Sequence, residues 1–313
     1  MFDVGPIQYK EPQMIRDFKQ LLQAAKEKRG VVVGVPSPED LSSVKTIINA
    51  KEENLADFIL TGNKEKIVAL IEENGGKVAD YEIISTAAVE ESAIKIVELA
   101  NQGRVQVILK GFLPTAALMK PILDKEKGLR TGNLLSDILV VENPADNYEG
   151  LLGMTDGGLN ILPDLSQKIQ LVENGVKVFH KLGYEKPKVG IMAAIESVKD
   201  SMPATVDAKA LTEMNEKGEI TGCEVYGPLA LDIAVSPKAA EHKGVTHPVA
   251  GMVQLMVVPN IESGNLLGKA FTYYLGITVS HVVMGARIPI LIPSRNESDV
   301  DKIHSVALGV IIA

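Results

Sequence analysis

Two segments near the carboxyl end of the chain carry the polar groups that a small anion needs. Pro259-Asn260-Ile261-Glu262-Ser263-Gly264-Asn265 follows the apolar run Leu255-Met256-Val257-Val258. Pro293-Ser294-Arg295 follows Ile288-Pro289-Ile290-Leu291-Ile292. Each apolar run reads as a buried strand and each polar segment as the opening of a helix. In a parallel α/β sheet, ligands bind just beyond the carboxyl ends of the strands. Free N–H groups at a helix N-terminus and an Arg guanidinium both attract anions there.

Other polar, glycine-rich turns follow apolar runs elsewhere: Lys110-Gly111-Phe112-Leu113-Pro114-Thr115, Leu129-Arg130-Thr131-Gly132, Thr155-Asp156-Gly157-Gly158-Leu159-Asn160, Met202 to Ala208 and Gly227-Pro228-Leu229-Ala230-Leu231-Asp232. Singly, each reads as an ordinary turn or cap. Together they place several such turns where a cleft would lie. No G-x-G-x-x-G or G-x-S-x-G occurs, and Gly264 to Ala270 is a failed P-loop, one residue short and lacking the Ser or Thr that binds magnesium. The five histidines show no metal-ligand spacing, so no metal site is expected. Cys223 sits in a strand pattern and reads as a buried structural thiol.

These turns must be positioned by a frame, and the frame is legible as alternation. Helical spacing over 12–29, an apolar run at 31–35, a helix opened by Ser37-Pro38-Glu39-Asp40, a strand at 58–60 and a helix capped by Asn63 begin the series. Further strands are expected at 81–85, 105–109, 137–142, 189–193, 220–226, 254–258, 278–284 and 289–293. Helices are expected between them at 87–102, from Pro114, 164–182, 207–217, 264–275 and from Glu297. Stretches 143–163, 194–206 and 226–254 read as long loops, where sites are usually found. Such alternation predicts an α/β fold with parallel or mixed sheets covered on both faces.

Composition narrows the function. The chain has 313 residues, 46% of them hydrophobic, and a net charge of −8. That supports one large or two medium cores and argues against a nucleic-acid partner, which needs a basic face. A local Arg and Lys cluster can still hold a small anion. One cysteine excludes an internal disulfide, and a cytoplasmic location follows as the default. The N-terminal residues lack the pattern of a signal peptide. The longest apolar stretch, Ile277 to Ile292, is broken by His281, Arg287 and Pro289, so it reads as two adjacent strands and not as a membrane span.

The ordered set Lys110-Gly111, Leu129-Arg130-Thr131-Gly132, Thr155-Asp156 with Asn160, Gly227 to Asp232, His242-Lys243-Gly244, Pro259 to Asn265, Lys269 and Ser294-Arg295 resembles the phosphotransacylases, nearest the phosphate butyryltransferase branch. The resemblance spans roughly residues 100–313, and its specificity lies in the order of the motifs. It implies a two-domain α/β protein of the isocitrate/isopropylmalate dehydrogenase-like fold, with residues 1–137 plus 290–313 in one domain, 138–289 in the other and the cleft between them. It implies exchange of phosphate and coenzyme A on a short or branched acyl group, with coenzyme A as a substrate, no cofactor, and a homodimer. Carried over, Ser294 and Arg295 bind phosphate and orient the acyl carbonyl. The substrate-binding set is Arg130, Thr131, Thr155, Asp156, Asn160, Glu262, Gly264, Asn265 and Lys269. The acid that takes the thiol proton falls at Asp301 by counting, with Asp299 as the alternative.

That chemistry suits the residue types. A thiol of pKa near 8.5 is only a few per cent thiolate at pH 7, so a carboxylate beside it speeds attack on the acyl phosphate by about 10²–10⁴-fold. Asp299 and Asp301 are also ordinary residues for a helix N-terminus. Departures from the branch are Asp137 where His is frequent, Gly157-Gly158 where larger residues occur, and Met252-Val253-Gln254 where acids occur. These bear on acyl preference and leave a second reading, a family member that binds acyl-CoA or acyl phosphate without turnover. A metal-dependent dehydrogenase would need an aspartate cluster and a nicotinamide site, neither of which the sequence carries.

Overall fold

The computed structural model of the chain describes residues 14–294 and 296–313. The elements run α1 (Phe18–Glu27), β1 (Val32–Pro36), α2 (Leu41–Glu52), β2 (Asp57–Gly62), α3 (Lys64–Glu73), β3 (Glu82–Ser85), α4 (Val89–Asn101), β4 (Val107–Leu109) and α5 (Thr115–Ile122). There follow β5 (Ser136–Glu142), β6 (Leu151–Thr155), α6 (Leu165–Lys181), β7 (Lys188–Met192), α7 (Pro203–Glu216), β8 (Glu224–Leu229), α8 (Leu231–Val235) and α9 (Pro237–His242). The chain closes with β9 (Leu255–Val257), α10 (Ile261–Tyr273), β10 (Val279–Met284), β11 (Ile290–Leu291) and α11 (Asp299–Ile312).

Local chemistry fixes most helix starts. Asn63, Asp164, Asn260 and Ser298 each accept a hydrogen bond from a backbone N–H in the first turn, and Asp164 and Ser298 do so within reciprocal capping boxes. The expected serine cap at 37 is corrected. Asp40 caps α2, its Oδ1 accepting from the Ser42 and Ser43 amides at 3.0 and 3.1 Å. Ser37 instead takes a left-handed conformation (φ 49°), and its carbonyl accepts from the Phe112 amide. Two of the expected loops also hold regular structure. β6 lies inside 143–163, and α8 and α9 lie inside 226–254.

All the strands join in a mixed sheet of order β3-β2-β1-β4-β11-β10-β5-β6-β9-β7-β8. β3, β2, β1, β4 and β11 are mutually parallel, as are β6, β9, β7 and β8. β10 is antiparallel to β11 and β5, and β5 is antiparallel to β6, so the two parallel sets run in opposite directions. The sheet is continuous through residues 137 and 290, where the sequence reading divides the chain.

Strand alternation gives the two faces different cores. Ile138, Val140, Val282 and Leu291 belong to one large cluster with residues of α1, α2, α6 and α11. Their neighbours point the other way and fall into two separate clusters. Leu139, Val141, Met154 and Val279 join one, and Val283, Ile290 and Ile108 join the other. The sheet surface between these two patches is where the cavity opens. Among the described residues, no helix is long and apolar enough to cross a membrane.

Candidate active site

Sheet register assembles the floor of the cavity. Val279 pairs with Val141, His281 with Leu139 and Val283 with Asp137, while Leu139 also pairs with Met154. Directly paired residues share a face. Asp137, Leu139, Met154, Val279, His281 and Val283 therefore stand together beneath a cavity of about 290 Å³. One wall is the turn after β6, with Gly157, Gly158 and Leu159. A second wall is the first three turns of α10, with Gly264, Asn265, Gly268 and Lys269. The segment between β11 and α11 closes it with Ser294, Asn296 and Glu297. Apolar side chains thus line part of the floor, and charged groups line the same cavity.

The two walls meet through glycines. A Cβ on Gly264 would lie 2.8 Å from both the Asp156 carbonyl oxygen and Gly157 Cα, and one on Gly157 would lie 2.8 Å from the Gly264 carbonyl carbon. Asn265 Nδ2 donates to the Gly157 carbonyl at 3.3 Å. This close backbone approach is why both motifs carry glycine at these positions.

Behind that wall, Asp156 is fully buried and works as a bracket. Its Oδ1 accepts from the Gly158 and Leu159 amides at 2.7 and 2.9 Å, and its Oδ2 accepts from Asn160 Nδ2 at 2.5 Å and the Asp137 amide at 3.2 Å. Burial and the neighbouring Asp137 charge raise its pKa against the pull of these bonds.

Three ionisable side chains line the cavity in series. His281 Nδ1 lies 3.2 Å from each carboxylate oxygen of Asp137, and His281 Nε2 lies 3.9 Å from Glu297 Oε1. Burial alone would lower the His281 pKa, but Asp137, then Glu297 and Asp301, outweigh it and push it up to about 9. The ring is an imidazolium at neutral pH. Glu297 Oε1 accepts from the Ser294 amide at 2.8 Å, and Oε2 is buried with no hydrogen-bond partner among the described residues. Burial raises the Glu297 pKa, opposed chiefly by His281.

Of the residues expected from sequence, Ser294, Gly264, Asn265 and Lys269 line this cavity. Arg130, Thr131 and Glu262 do not. Arg130 bridges to Ala286 beside a neighbouring depression that it shares with Asn160, and Thr131 Oγ1 donates to the Gly285 carbonyl at 2.6 Å. Glu262 is exposed in the first turn of α10. Thr155 is buried at the end of β6, and Asp156 and Asn160 hold the turn together. Arg295 lies outside the described residues. Asp299 is exposed at the first position of α11. Asp301 is buried, with Oδ1 accepting from the Val279 amide at 2.9 Å and Oδ2 from the Ser298 amide and hydroxyl at 2.9 and 2.7 Å. It ties α11 to β10 and does not line the cavity.

Asp137, His281 and Glu297 were not among the expected site residues. A lone His in an otherwise apolar strand, two positions from residues on the same face, was the signal available for His281. Glu297 had none, because a Glu just before a helix is common.

The sequence pattern of the phosphate acetyl/butaryl transferase family matches residues 67–310, a span that includes every residue named above as lining the cavity. The chain belongs to this family. It is 39% identical over 300 residues to the phosphate butyryltransferase of Clostridium acetobutylicum, covering 96% of this chain and 99% of that one. A branched-chain phosphotransacylase from Enterococcus faecalis superposes with a TM-score of 0.79 at 28% identity, covering 90% of this chain and 99% of that one. The family fold extends further. A 4-hydroxythreonine-4-phosphate dehydrogenase from Klebsiella pneumoniae shares it with a TM-score of 0.55 at 12% identity, over 90% of this chain and 99% of that one. For a family member, an apolar floor facing Ser294 and Lys269 matches both surfaces of an acyl phosphate, its hydrocarbon chain and its anion.

Proposed function

We propose that this chain is a phosphate acyltransferase that interconverts acyl-CoA plus phosphate with acyl phosphate plus CoA, on a short or branched acyl group. The observation that carries the reading is the cavity itself. Leu139, Met154, Val279 and Val283 form an apolar floor of limited extent beside the polar turn at Ser294. The acyl chain rests on the floor, the phosphate lies toward Ser294 and Arg295, and Lys269 serves the anionic part of coenzyme A. Helix N–H groups and Arg295 stabilise charge on the tetrahedral intermediate. The reaction needs no cofactor, since thiol and phosphate exchange directly on the carbonyl. The reading carries with it a cleft between two domains, a homodimer and a cytoplasmic location.

The test is release of free CoA from a panel of acyl-CoAs, from acetyl to branched five-carbon chains, with and without phosphate. Phosphate-dependent release, fastest with butyryl or a branched chain, supports the reading. Binding of acyl-CoA with no release supports the second reading, a binder without turnover. What favours that alternative is the position of Asp299 and Asp301, neither of which lines the cavity.

A further inference from the structure

We propose that Glu297 is the group that exchanges a proton with the coenzyme A thiol, and that His281, anchored on Asp137, is the positioning residue that holds it. The inference rests on the phosphate acyltransferase reading above and assigns the proton transfer within it.

Geometry selects Glu297 by what each acid already does. Both oxygens of Asp301 are taken up by three hydrogen bonds that build the start of α11 and the first rung of β10. Asp299 is exposed outside the cavity. Asp137 lines the cavity but faces His281 Nδ1 with both oxygens. His281 is itself charged at neutral pH and has no lone pair to accept a proton. Glu297 differs from all of these. It lines the cavity beside Ser294, one oxygen is fixed by the Ser294 amide and by His281, and the other is buried with no partner among the described residues. A buried orphan oxygen is costly to keep, and a substrate that donates to it removes that cost.

The chemistry balances. As the sulfur bonds to the carbonyl carbon of the acyl phosphate, its proton passes to the Glu297 carboxylate. The tetrahedral intermediate then breaks the bond between carbon and the bridging oxygen, and phosphate leaves with the electron pair. In reverse, phosphate oxygen attacks the thioester, and the protonated Glu297 returns its proton to the departing sulfur. Burial raises the Glu297 pKa toward that of a thiol, which shortens the uphill part of the transfer. The nearby imidazolium opposes that rise and favours the carboxylate form. The charged or titratable groups around this pair are Asp137 from β5, Asp156 behind it, Asp301 from α11 and Lys269 from α10.

The experiment measures kcat for CoA release from butyryl-CoA and phosphate across pH, together with CoA binding by calorimetry, in wild type, Glu297→Gln, Glu297→Asp and His281→Asn. Expected is a loss of kcat of at least about 10²-fold in E297Q with CoA affinity kept. E297D recovers part of kcat and restores the acidic limb of the profile. In H281N that limb moves to higher pH, because the cation no longer favours the carboxylate. A smaller loss in E297Q, or equal losses in E297Q and E297D, overturns the assignment of the base. An unmoved limb in H281N overturns the role of His281. Wild type that releases no CoA from any acyl-CoA overturns the phosphate acyltransferase reading and this inference with it, whereas an active wild type with an equally active E297Q overturns this inference alone.

Discussion

His281 Nδ1 sits 3.2 Å from both carboxylate oxygens of Asp137, on adjacent strands of a sheet whose two halves run in opposite directions. Nothing in the linear order puts these two residues together. The antiparallel join between β10 and β5 does, because it aligns His281 with Leu139 and Val283 with Asp137 on one face. The pair then stands in the gap between two apolar patches, where it governs the charge of the cavity floor.

That contact makes stability depend on pH in a defined window. The His281 pKa is raised in the folded chain from its ordinary 6.5 to about 9. A raised histidine contributes stability that is fully present below pH 6.5 and is lost as pH rises through 9. His247 and His304, whose values burial lowers, act on the acid side of 6.5 and leave that window clear. Denaturant unfolding of wild type should therefore show stability declining from pH 6.5 to 9, and H281N should flatten the decline. An unchanged slope in the variant contradicts the ion pair.

Asp301→Ala should act on the fold. It removes the reciprocal half of the Ser298 capping box, the acceptor for the Ser298 amide and hydroxyl, worth about 1 kcal/mol. It also leaves the buried Val279 amide without its acceptor, which costs about 1–3 kcal/mol more. The expected loss in urea unfolding is about 2–4 kcal/mol. Activity per folded molecule should remain within about tenfold of wild type, as expected for a group that is not the general base. A stable variant with activity lowered by about 10²-fold or more would return Asp301 to the chemistry.

Gly264→Ala tests the glycine contact between the two walls. The new Cβ meets backbone atoms of Asp156 and Gly157 at 2.8 Å, which cannot rotate aside. Overpacking of this kind costs about 1–3 kcal/mol and displaces α10 from the turn after β6. CoA release should fall with it, because Asn265 and Lys269 ride on the same helix. A variant as stable and active as wild type would mean that the two walls are free to part.

Acyl preference should follow the floor. A Cβ on Gly268 would lie 3.1 Å from Leu139 Cδ1 and 3.5 Å from Met154 Cε, both ends of flexible side chains. Gly268→Ala is therefore tolerated, gains about 1 kcal/mol of helix propensity, and shrinks the space above the floor. Met154→Ala enlarges the same space. The ratio of kcat/KM for butyryl-CoA to acetyl-CoA should fall in the first and shift toward longer chains in the second, by roughly 10-fold per methylene gained or lost. Equal ratios in all three proteins would place the acyl chain elsewhere.

Much of the frame was legible because buried strands and amphipathic helices leave periodic patterns, as in α6 with its Asp164 and Gln167 capping box. β6 was not. Its five residues carry Gly153 at the centre, a break signal in sequence, yet the glycine is there because the Phe179 ring packs 2.5 Å from where its Cβ would be. Ser37 looked like a cap because Pro38 follows it, but the Asp40 carboxylate reaches two amides and sets the helix start three residues later. Within the site, the glycine-rich turns were legible from their places after strands, and Gly264, Asn265, Lys269 and Ser294 do meet at one cavity. Asp156 and Asn160 were read as ligand groups, and the structure uses them to brace a turn. His281 and Glu297 were not legible as a pair, since their meeting depends on where α11 begins and how β10 is paired.

The most direct measurement is the rate of free CoA production by the purified full chain from butyryl-CoA, with and without inorganic phosphate, in wild type and Arg295→Ala. The account predicts phosphate-dependent CoA release by wild type, reduced by about 10²-fold or more when the guanidinium proposed to hold phosphate is removed. CoA release that ignores phosphate, or an Arg295→Ala variant as fast as wild type, would contradict it.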